Sequence, residues 1–324
     1  MRLAVYGVGA IGGLVAARLV AAGHDVTGIC RGATLQAIRS DGLHLTVGKD
    51  RTRHDLKVTD DPAEAGPQDI VLACVKANAL PGVIDGLQAL SGPETLLVPL
   101  VNGVPFWFFQ GFGGPLADTP LQSVDPGGAL AAAFPAQRVT GAVVHISCSV
   151  PQPGHVHNHG GNRLIIGPPT PAAQPQADGV ADLLEGAGFG VERTPRIREA
   201  VWEKLAGNLN FNPISALTRA TVDRIAGDPE SKAICVATMR EIMTLAEALG
   251  LDFALDPDAR VALALKLGPF RTSMLQDVDA GRRLELEPIV GAVVEIADRL
   301  QVPVPSTRAI YGLARLLDES LAAA

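Results

Sequence analysis

The chain is poor in cysteine and in aromatic residues. Its 324 residues include four cysteines, two tryptophans and two tyrosines. A zinc knuckle or a dithiol redox site needs closely paired cysteines, and the sequence has no C-x-x-C pair, so neither is predicted. Cys30 and Cys74 lie in apolar runs, where a thiol is typically a small core residue. Reduced thiols favour a cytoplasmic location.

Positive charge is also scarce. There are 27 lysines and arginines against 34 aspartates and glutamates, which gives a net charge of -7. A nucleic-acid-binding protein needs a basic stripe to neutralise phosphates, so nucleic acid is not a predicted partner. This balance still permits a local basic pocket for a small anion.

Long uninterrupted apolar runs are missing as well. The apolar stretch that ends at Ala22 is broken by Arg18 and by several glycines, so we predict neither a signal peptide nor a membrane anchor there. Hydrophobic residues make up 47% of the chain and charged residues 19%. Such a composition indicates a globular protein, and the length is enough for two domains.

Strand and helix patterns alternate in the first two-thirds. Apolar strands are predicted at residues 3–6, 25–30, 70–75 and 96–101, with a helix over 11–22. Continuous apolar strands separated by helices indicate a parallel sheet that is buried on both faces.

The pattern then changes twice. Two further strands, 140–149 and 163–167, flank a turn rich in proline, glycine and histidine over 151–161, which predicts an antiparallel hairpin. Beyond residue 197 only helical patterns remain, at 199–217, 229–249, 284–300 and 306–322. The fold class is therefore α/β, with a Rossmann-like dinucleotide-binding domain over residues 1–195 and an all-helical C-terminal domain over 196–324.

A glycine string follows the first strand and opens the first helix. It consists of Gly7, Val8, Gly9, Ala10, Ile11 and Gly12. In a G-x-G-x-x-G turn the first glycine permits the tight turn, the second lets the backbone approach a pyrophosphate, and the third allows close helix–strand packing. The helix N-terminus then offers free N–H groups to the anion. The string predicts a dinucleotide site.

Three polar residues stand at the ends of later strands. Arg31 follows the second strand, where an NAD site usually has an acidic residue. A guanidinium there favours the 2′-phosphate of NADP. Lys76 follows the third strand and Asn102 the fourth. Ligands of open α/β sheets bind at the carboxyl ends of the strands, so both are candidate cofactor residues.

The helical part contains a regular polar pattern. Lys204, Asn208 and Asn212 recur every four residues and therefore share one helix face among apolar neighbours. Buried polar groups without partners are costly, so the pattern indicates a site, although a polar surface stripe is the alternative. Pro213 predicts a kink or a restart of the helix at Asn212.

Three histidines alternate within the predicted turn: His155, His157 and His159. Alternation places them on one strand face, as in some metal sites. No carboxylate or cysteine lies close to them in sequence, so a solvated hairpin without metal is predicted.

Together these motifs resemble the ketopantoate reductases (2-dehydropantoate 2-reductases). The resemblance rests on the glycine string, on Val75-Lys76-Ala77 and on Asn102-Gly103. It rests further on the Lys-x-x-x-Asn-x-x-x-Asn-Pro run at 204–213, and on the 273–277 segment Ser-Met-Leu-Gln-Asp with Glu285 beyond it. The resemblance implies NADPH-dependent reduction of a 2-keto acid to a 2-hydroxy acid, in the pantothenate route to coenzyme A.

The resemblance also implies roles for individual residues. Lys204 is the expected general acid, and Glu285 is expected to orient the substrate. Asn208, Asn212 and Ser273 are expected to bind the substrate, with a helix cap as the alternative role of Ser273. Asn102 is expected near the nicotinamide ribose and Lys204, where it also serves the substrate. The expected partner is a small 2-keto acid, for a monomer or a homodimer without nucleic acid or membrane.

One stretch departs from the family pattern. Residues 104–114 contain five of the eleven phenylalanines and tryptophans. They predict either an apolar core segment or subunit contact, or a reshaped substrate pocket or lid. The second interpretation favours a bulkier or aromatic 2-keto acid as substrate. A non-catalytic NADP-binding sensor or partner module is a third hypothesis, which a general acid with substrate anchors argues against.

Overall fold

In a computed structural model, which describes residues 1–323, strands are interspersed with helices up to residue 193. The strands are β1 (Arg2–Tyr6), β2 (Asp25–Ile29), β3 (Leu43–Val47), β4 (Asp50–His54), β5 (Lys57–Thr59), β6 (Gln68–Ala73), β7 (Ser91–Pro99), β8 (Gly141–Gln152), β9 (His155–Gly167) and β10 (Gly190–Arg193). The helices of this part are α1 (Ala10–Ala21), α2 (Gly32–Asp41), α3 (Pro62–Ala65), α4 (Ile84–Ala89), α5 (Ala129–Ala133) and α6 (Gln174–Gly186).

The later part is helical. Its helices are α7 (Ile197–Thr218), α8 (Val222–Gly227), α9 (Pro229–Leu249), α10 (Pro257–Lys266), α11 (Ser273–Asp279), α12 (Ala292–Leu300) and α13 (Pro305–Ala323). A π-helical turn, Glu287–Gly291, directly precedes α12. The predicted α/β class, with a Rossmann-like region followed by a helical region, is confirmed. None of the helices within residues 1–323 combines the length and the apolar composition that a bilayer crossing requires.

The first sheet is parallel and has the order β5-β2-β1-β6-β7. The chain runs outward from β1 through β2 to β5, and then returns to place β6 on the other side of β1. This reversal of direction is a topological switch point, where the loops after β1 and β6 diverge and leave a crevice. The strands are apolar because helices cover both faces, and Leu3 and Val5 of β1 are fully buried.

A second sheet was not predicted from the sequence. It has the order β10-β9-β3-β4, with β8 paired to β9. Strands β8 and β9 form the predicted antiparallel hairpin. The predicted turn over 151–161 was too long, because the strands extend to Gln152 and restart at His155. Cross-strand pairing holds this segment extended, although its proline, glycine and histidine content predicted a turn.

Helix α1 packs against both sheets. A Cβ atom at Gly13 would collide with the Val156 side chain of β9, so this glycine, next to the Gly7–Gly12 string, serves packing. Leu14 and Val15 lie in the same buried cluster as Val156. The core of the N-terminal region is therefore built around the helix that begins at the glycine turn.

The helical region corrects two expectations. Pro213 lies inside α7, which continues to Thr218, so the predicted restart of the helix at Asn212 does not occur. The residues around it, from 209 to 216, are all buried. Their packing keeps the segment helical although Pro213 cannot donate a backbone hydrogen bond. Short helices α8, α10 and α11 were not predicted, because segments of 6 to 10 residues show too few turns of periodicity.

The chain divides into two compact units. One comprises residues 1–101, 110–112 and 128–197, and the other comprises 102–109, 113–127 and 198–324. The predicted domains, 1–195 and 196–324, place residues 102–109 and 113–127 with the first part, whereas these two segments group with the helices. Asn102 therefore belongs to the helical unit.

Candidate active site

The glycine string forms a tight turn between β1 and α1. Gly7 has φ of +95°, and a Cβ atom there would lie 2.8 Å from the Val75 side chain. A Cβ atom at Gly12 would collide with the carbonyl oxygen of Gly7. Both positions therefore need glycine because of the protein's own packing.

Gly9 differs from these two glycines. Its φ is -94°, and a Cβ atom there would meet no protein atom within 4 Å. Packing within the protein does not explain a glycine at this position. The glycine leaves the first turn of α1 accessible to a ligand, and this turn has no acidic residue that would repel an anion. A pyrophosphate can therefore lie against the helix N-terminus. The turn therefore fits the phosphates of a dinucleotide.

The other residues of the string have separate positions. The side chain of Val8 is buried and packs against Gly28 of β2, so only its backbone is available to a ligand. Ala10 and Ile11 begin α1 and are partly exposed. All of them remain candidate cofactor residues.

Arg31 and Lys76 both follow strands of the first sheet. Arg31 is exposed at the N-cap of α2, and its charge opposes the burial that raises the pKa of Tyr6 at the end of β1. Lys76 directly follows Val75, the residue that touches Gly7. Both cations therefore lie at the same sheet edge as the glycine turn, one on each side of β1.

In the helical unit, Lys204, Asn102 and Glu285 form one cluster. The Lys204 Nζ atom donates a hydrogen bond to Asn102 Oδ1 at 2.7 Å. The Asn102 Nδ2 atom donates to Glu285 Oε2 at 3.4 Å. Burial lowers the pKa of Lys204 to about 8, against the smaller opposing effect of the Glu285 carboxylate. Such an ammonium is a suitable proton donor near neutral pH.

Asn102 is held by a close backbone approach. Gly103 has φ of +81°, and a Cβ atom there would collide with the Pro288 carbonyl oxygen. The same oxygen accepts a hydrogen bond from the Val104 N–H at 2.8 Å. Pro288 lies in the π-helical turn that begins two residues after Glu285, a feature often found at functional sites. Asn102 and Glu285 are thus fixed relative to each other through Gly103 and Pro288, a contact that sequence reasoning missed.

The aromatic segment 106–109 packs as core. Its four side chains are at most 5% exposed, and the ring centroids of Phe108 and Trp202 are 5.7 Å apart. Arg198 Nε donates to the Phe108 carbonyl oxygen at 2.7 Å, and its guanidinium lies over the Trp107 ring. Burial lowers the pKa of Arg198 to about 10. Trp202 and Arg198 lie on α7 shortly before Lys204. The aromatic segment, which follows Asn102 directly, therefore packs against the helix that carries Lys204.

The other predicted substrate residues have different environments. Asn208 is partly exposed one turn after Lys204, whereas Asn212 is buried. Ser273 is exposed at the first position of α11, where Thr272 caps the helix by accepting from the Leu275 N–H at 3.1 Å. The cap alternative for Ser273 is therefore wrong, because its neighbour performs that role.

The three histidines lie within β9 and not in a turn. The ring centroids of His155 and His44 are 4.4 Å apart in a stacked pair, and His44 Nε2 lies 2.9 Å from Asp41 Oδ2. Donor atoms of Asp41, His44 and His155 all lie within 4.8 Å of one another. The carboxylate that is missing nearby in sequence is thus supplied by α2. Hydrogen bonding already accounts for the Asp41–His44 pair, so the absence of a metal site stays a prediction.

The chain is similar to known proteins over nearly its whole length. Residues 3–106 match the family model "Ketopantoate reductase PanE/ApbA", and residues 196–318 match its C-terminal model. A 2-dehydropantoate 2-reductase of Mesorhizobium japonicum is 37% identical over 318 residues, which cover 98% of each chain.

Solved structures show the same similarity. A crystal structure from Ralstonia solanacearum, assigned to the ketopantoate reductases, has a TM-score of 0.94 and 41% identity, covering 98% of each chain. A D-mandelate dehydrogenase solved with NADH and anilino(oxo)acetate has a TM-score of 0.86 at 18% identity, covering 99% of this chain and 100% of that one, so the likeness is of fold alone. The family models and the full-length relative show that this chain belongs to the ketopantoate reductases, a family of oxidoreductases that use a nicotinamide dinucleotide.

Proposed function

We propose that the protein reduces 2-dehydropantoate to pantoate with NADPH, as a step of pantothenate and coenzyme A biosynthesis. The observation that carries the proposal is the Lys204–Asn102–Glu285 cluster, in which a lysine of lowered pKa is hydrogen-bonded and held beside a carboxylate. Membership of the ketopantoate reductases supplies the substrate. A protein that only binds NADP has no need of such an acid, so the sensor hypothesis has no supporting observation.

Each residue of the cluster has a separate task. When bound, NADPH supplies the hydride that adds to the carbonyl carbon. Lys204 donates its proton to the carbonyl oxygen as that oxygen gains charge, and its cation stabilises the developing alkoxide. Asn102 keeps Nζ in place because its Oδ1 atom accepts a hydrogen bond from the ammonium. Glu285 keeps a compensating negative charge near the ammonium and is a hydrogen-bond acceptor for the substrate hydroxyl.

Asn208, Asn212 and Ser273 are the proposed remaining substrate contacts. Asn208 is partly exposed on the same face of α7 as Lys204, and Ser273 is exposed because Thr272 caps its helix. Amide and hydroxyl groups suit the hydroxyl and carboxylate groups of a keto acid. Asn212 is buried and would act at the inner end of this row.

The choice of NADP rests on Arg31. Its guanidinium is exposed at the end of β2, beside the glycine turn, and within residues 1–323 no ion pair engages it. A planar cation suits the 2′-phosphate, which NAD does not have. The pyrophosphate would be held by the glycine string, through Gly7, Gly9 and Gly12 and through the backbone of Val8, Ala10 and Ile11. Lys76 would serve as an additional cation along it.

A substrate panel tests the proposed function. NADPH oxidation is followed with 2-dehydropantoate, with smaller aliphatic 2-keto acids and with aromatic 2-keto acids. We expect the highest kcat/KM with 2-dehydropantoate. Faster turnover of an aromatic 2-keto acid would contradict the assignment, and the same panel with NADH tests the cofactor.

The bulkier-substrate hypothesis loses its main support. It depended on the aromatic stretch as a pocket or lid, but the side chains of residues 106–109 are buried in the core of the helical unit. The cytoplasmic location, the absence of a nucleic-acid partner and the choice between monomer and homodimer stay predictions.

A further inference from the structure

Arg260 lies against α7, the helix that carries Lys204, at a position where that helix has a glycine. It is a partly buried residue of α10, and a Cβ atom at Gly207 of α7 would lie 3.0 Å from its Nη2 atom. The same Cβ atom would lie 3.7 Å from Nε and 3.8 Å from Cζ. Three guanidinium atoms therefore touch the space that a side chain at position 207 would fill. Glycine at this position lets the guanidinium rest on the helix backbone.

Gly207 belongs to the part of α7 that carries the acid. It follows Lys204 by three residues and precedes Asn208 by one, and residues three apart on a helix are about 5–6 Å apart at Cβ. From Val201 to Ala216, only Glu203 is exposed, and Lys204 and Asn208 are half-buried, whereas the other residues of this stretch are buried. Arg260 thus reaches α7 beside the one portion of this stretch that is open to a ligand.

The guanidinium has no internal partner among residues 1–323. Of the acidic residues nearby in sequence, Asp256 caps α10 and Asp258 pairs with Lys232 at 2.8 Å. Glu203 of α7 forms no ion pair with Arg260 either. A partly buried cation without a partner lowers the stability of the folded protein, and the packing of α10 does not require an arginine at this position. The neighbouring Val261 and Ala264 already anchor α10 in the apolar cluster that includes Phe211.

Charge balance indicates what Arg260 would bind. The Lys204 ammonium and the Glu285 carboxylate compensate each other, so together they offer no net charge to an anionic substrate. A 2-keto acid carries a carboxylate next to the reacting carbonyl group. A guanidinium binds a carboxylate through two parallel hydrogen bonds, which also fix its orientation.

We propose that Arg260 binds the carboxylate of the 2-keto acid substrate, in the space that Gly207 leaves on α7. This inference rests on the proposed function, because it assumes that Lys204 protonates the adjacent carbonyl oxygen. Arg260 thereby selects a keto acid over an uncharged ketone and sets the direction in which the carbonyl group meets Lys204.

The test compares Arg260→Leu with the wild-type enzyme on 2-dehydropantoate and on its uncharged amide. Removing a charged hydrogen-bonding partner should raise KM for the acid by about 10- to 100-fold. The KM for the amide and the Kd for NADPH should not change, so the preference for the acid disappears. Arg260→Lys should fall between, because an ammonium keeps the charge but not the paired geometry.

Two further variants separate this role from a structural one. Gly207→Val keeps Arg260 but displaces its guanidinium, and it should raise KM for the acid in the same way. Lys266→Leu removes one exposed positive charge from the same helix and should leave KM unchanged. Equal losses on acid and amide in Arg260→Leu, or an unchanged KM for the acid, would overturn the proposal.

Failure of the proposed function looks different from failure of this inference. If the wild-type enzyme reduces no 2-keto acid, the proposed function fails. Calorimetric binding of the 2-dehydropantoate anion to wild type and to Arg260→Leu then still decides the role of Arg260. Equal affinity of the two proteins contradicts it, and weaker binding by the variant supports it.

Discussion

The two units of this molecule build their candidate sites in opposite ways. In the first unit the site consists mainly of glycines, which have no side chain. Gly7 and Gly12 let β1 and α1 approach each other, and Gly9 leaves space for a ligand. In the helical unit the site consists of side chains, Lys204, Asn102 and Glu285, that packing brings together. A backbone site is compact in sequence, whereas the side-chain site draws on residues 102 to 285. The two sites should therefore respond differently to substitution.

The largest expected effect is that of Lys204→Ala. Loss of the proton donor should lower kcat by about 10²- to 10⁴-fold, the usual contribution of a positioned general acid. The Kd for NADPH should stay within about twofold, since this variant leaves the glycine turn intact. Steady-state kinetics and a fluorescence titration measure the two quantities. A near-normal kcat would remove Lys204 from the mechanism.

Gly9→Ala should produce the converse result. The new methyl group meets no protein atom within 4 Å, so the melting temperature should not change. It would fill the space proposed for the pyrophosphate and weaken NADPH binding by about 10- to 100-fold. Gly82→Ala is the matched control, because that glycine also has no neighbour within 4 Å. Unaltered NADPH affinity in Gly9→Ala would place the phosphates elsewhere.

Arg31→Asp should change the cofactor preference. We expect NADPH to bind about 10- to 100-fold more weakly, since a charged partner of the 2′-phosphate is replaced by a like charge. NADH should be affected far less, and kcat with saturating cofactor should remain similar. The ratio of kcat/KM for the two cofactors is the measurement. An unchanged ratio means that the 2′-phosphate is bound by other groups.

The smallest expected effect is a pH dependence. Because burial lowers the pKa of Lys204 to about 8, its proton is present below that pH and lost above it. The kcat of keto acid reduction should therefore fall about tenfold per pH unit above about pH 8. Oxidation of the hydroxy acid, which needs the neutral amine, should rise over the same range. The Lys204→Ala variant should lack this transition, and its persistence there would assign it to another group.

Much of the first unit was predictable from local patterns. The strands β1 and β2 and the helix α1 were placed to within one residue of their ends, because Gly7 and Gly9 separate β1 from α1 and Gly23 separates α1 from β2. The second sheet was not, because β3, β4 and β10 are short and partly polar and owe their strand conformation to pairing. Periodicity within one segment contains no information about its partner strand.

The aromatic segment shows the same limit in the second unit. Its composition indicated an apolar environment, and its burial agrees with that. Composition alone did not distinguish a core segment from a pocket or lid. The distinction depends on Trp202 and Arg198, which lie about 90 residues later in the chain and contact the segment only in the folded helical unit.

By itself, the sequence determined the dinucleotide turn and the spacing of Lys204, Asn208 and Asn212, since both follow from the local geometry of one turn and one helix. Tertiary structure decided that Asn102 bonds to Lys204, that Pro288 holds Gly103, and that Arg260 rests on Gly207. These contacts join residues far apart in the chain, and their distances depend on how complete elements pack. The glycine turn could thus be identified from the sequence alone. The lowered pKa that suits Lys204 to act as an acid depends on its burial and its partners, which only the folded structure gives.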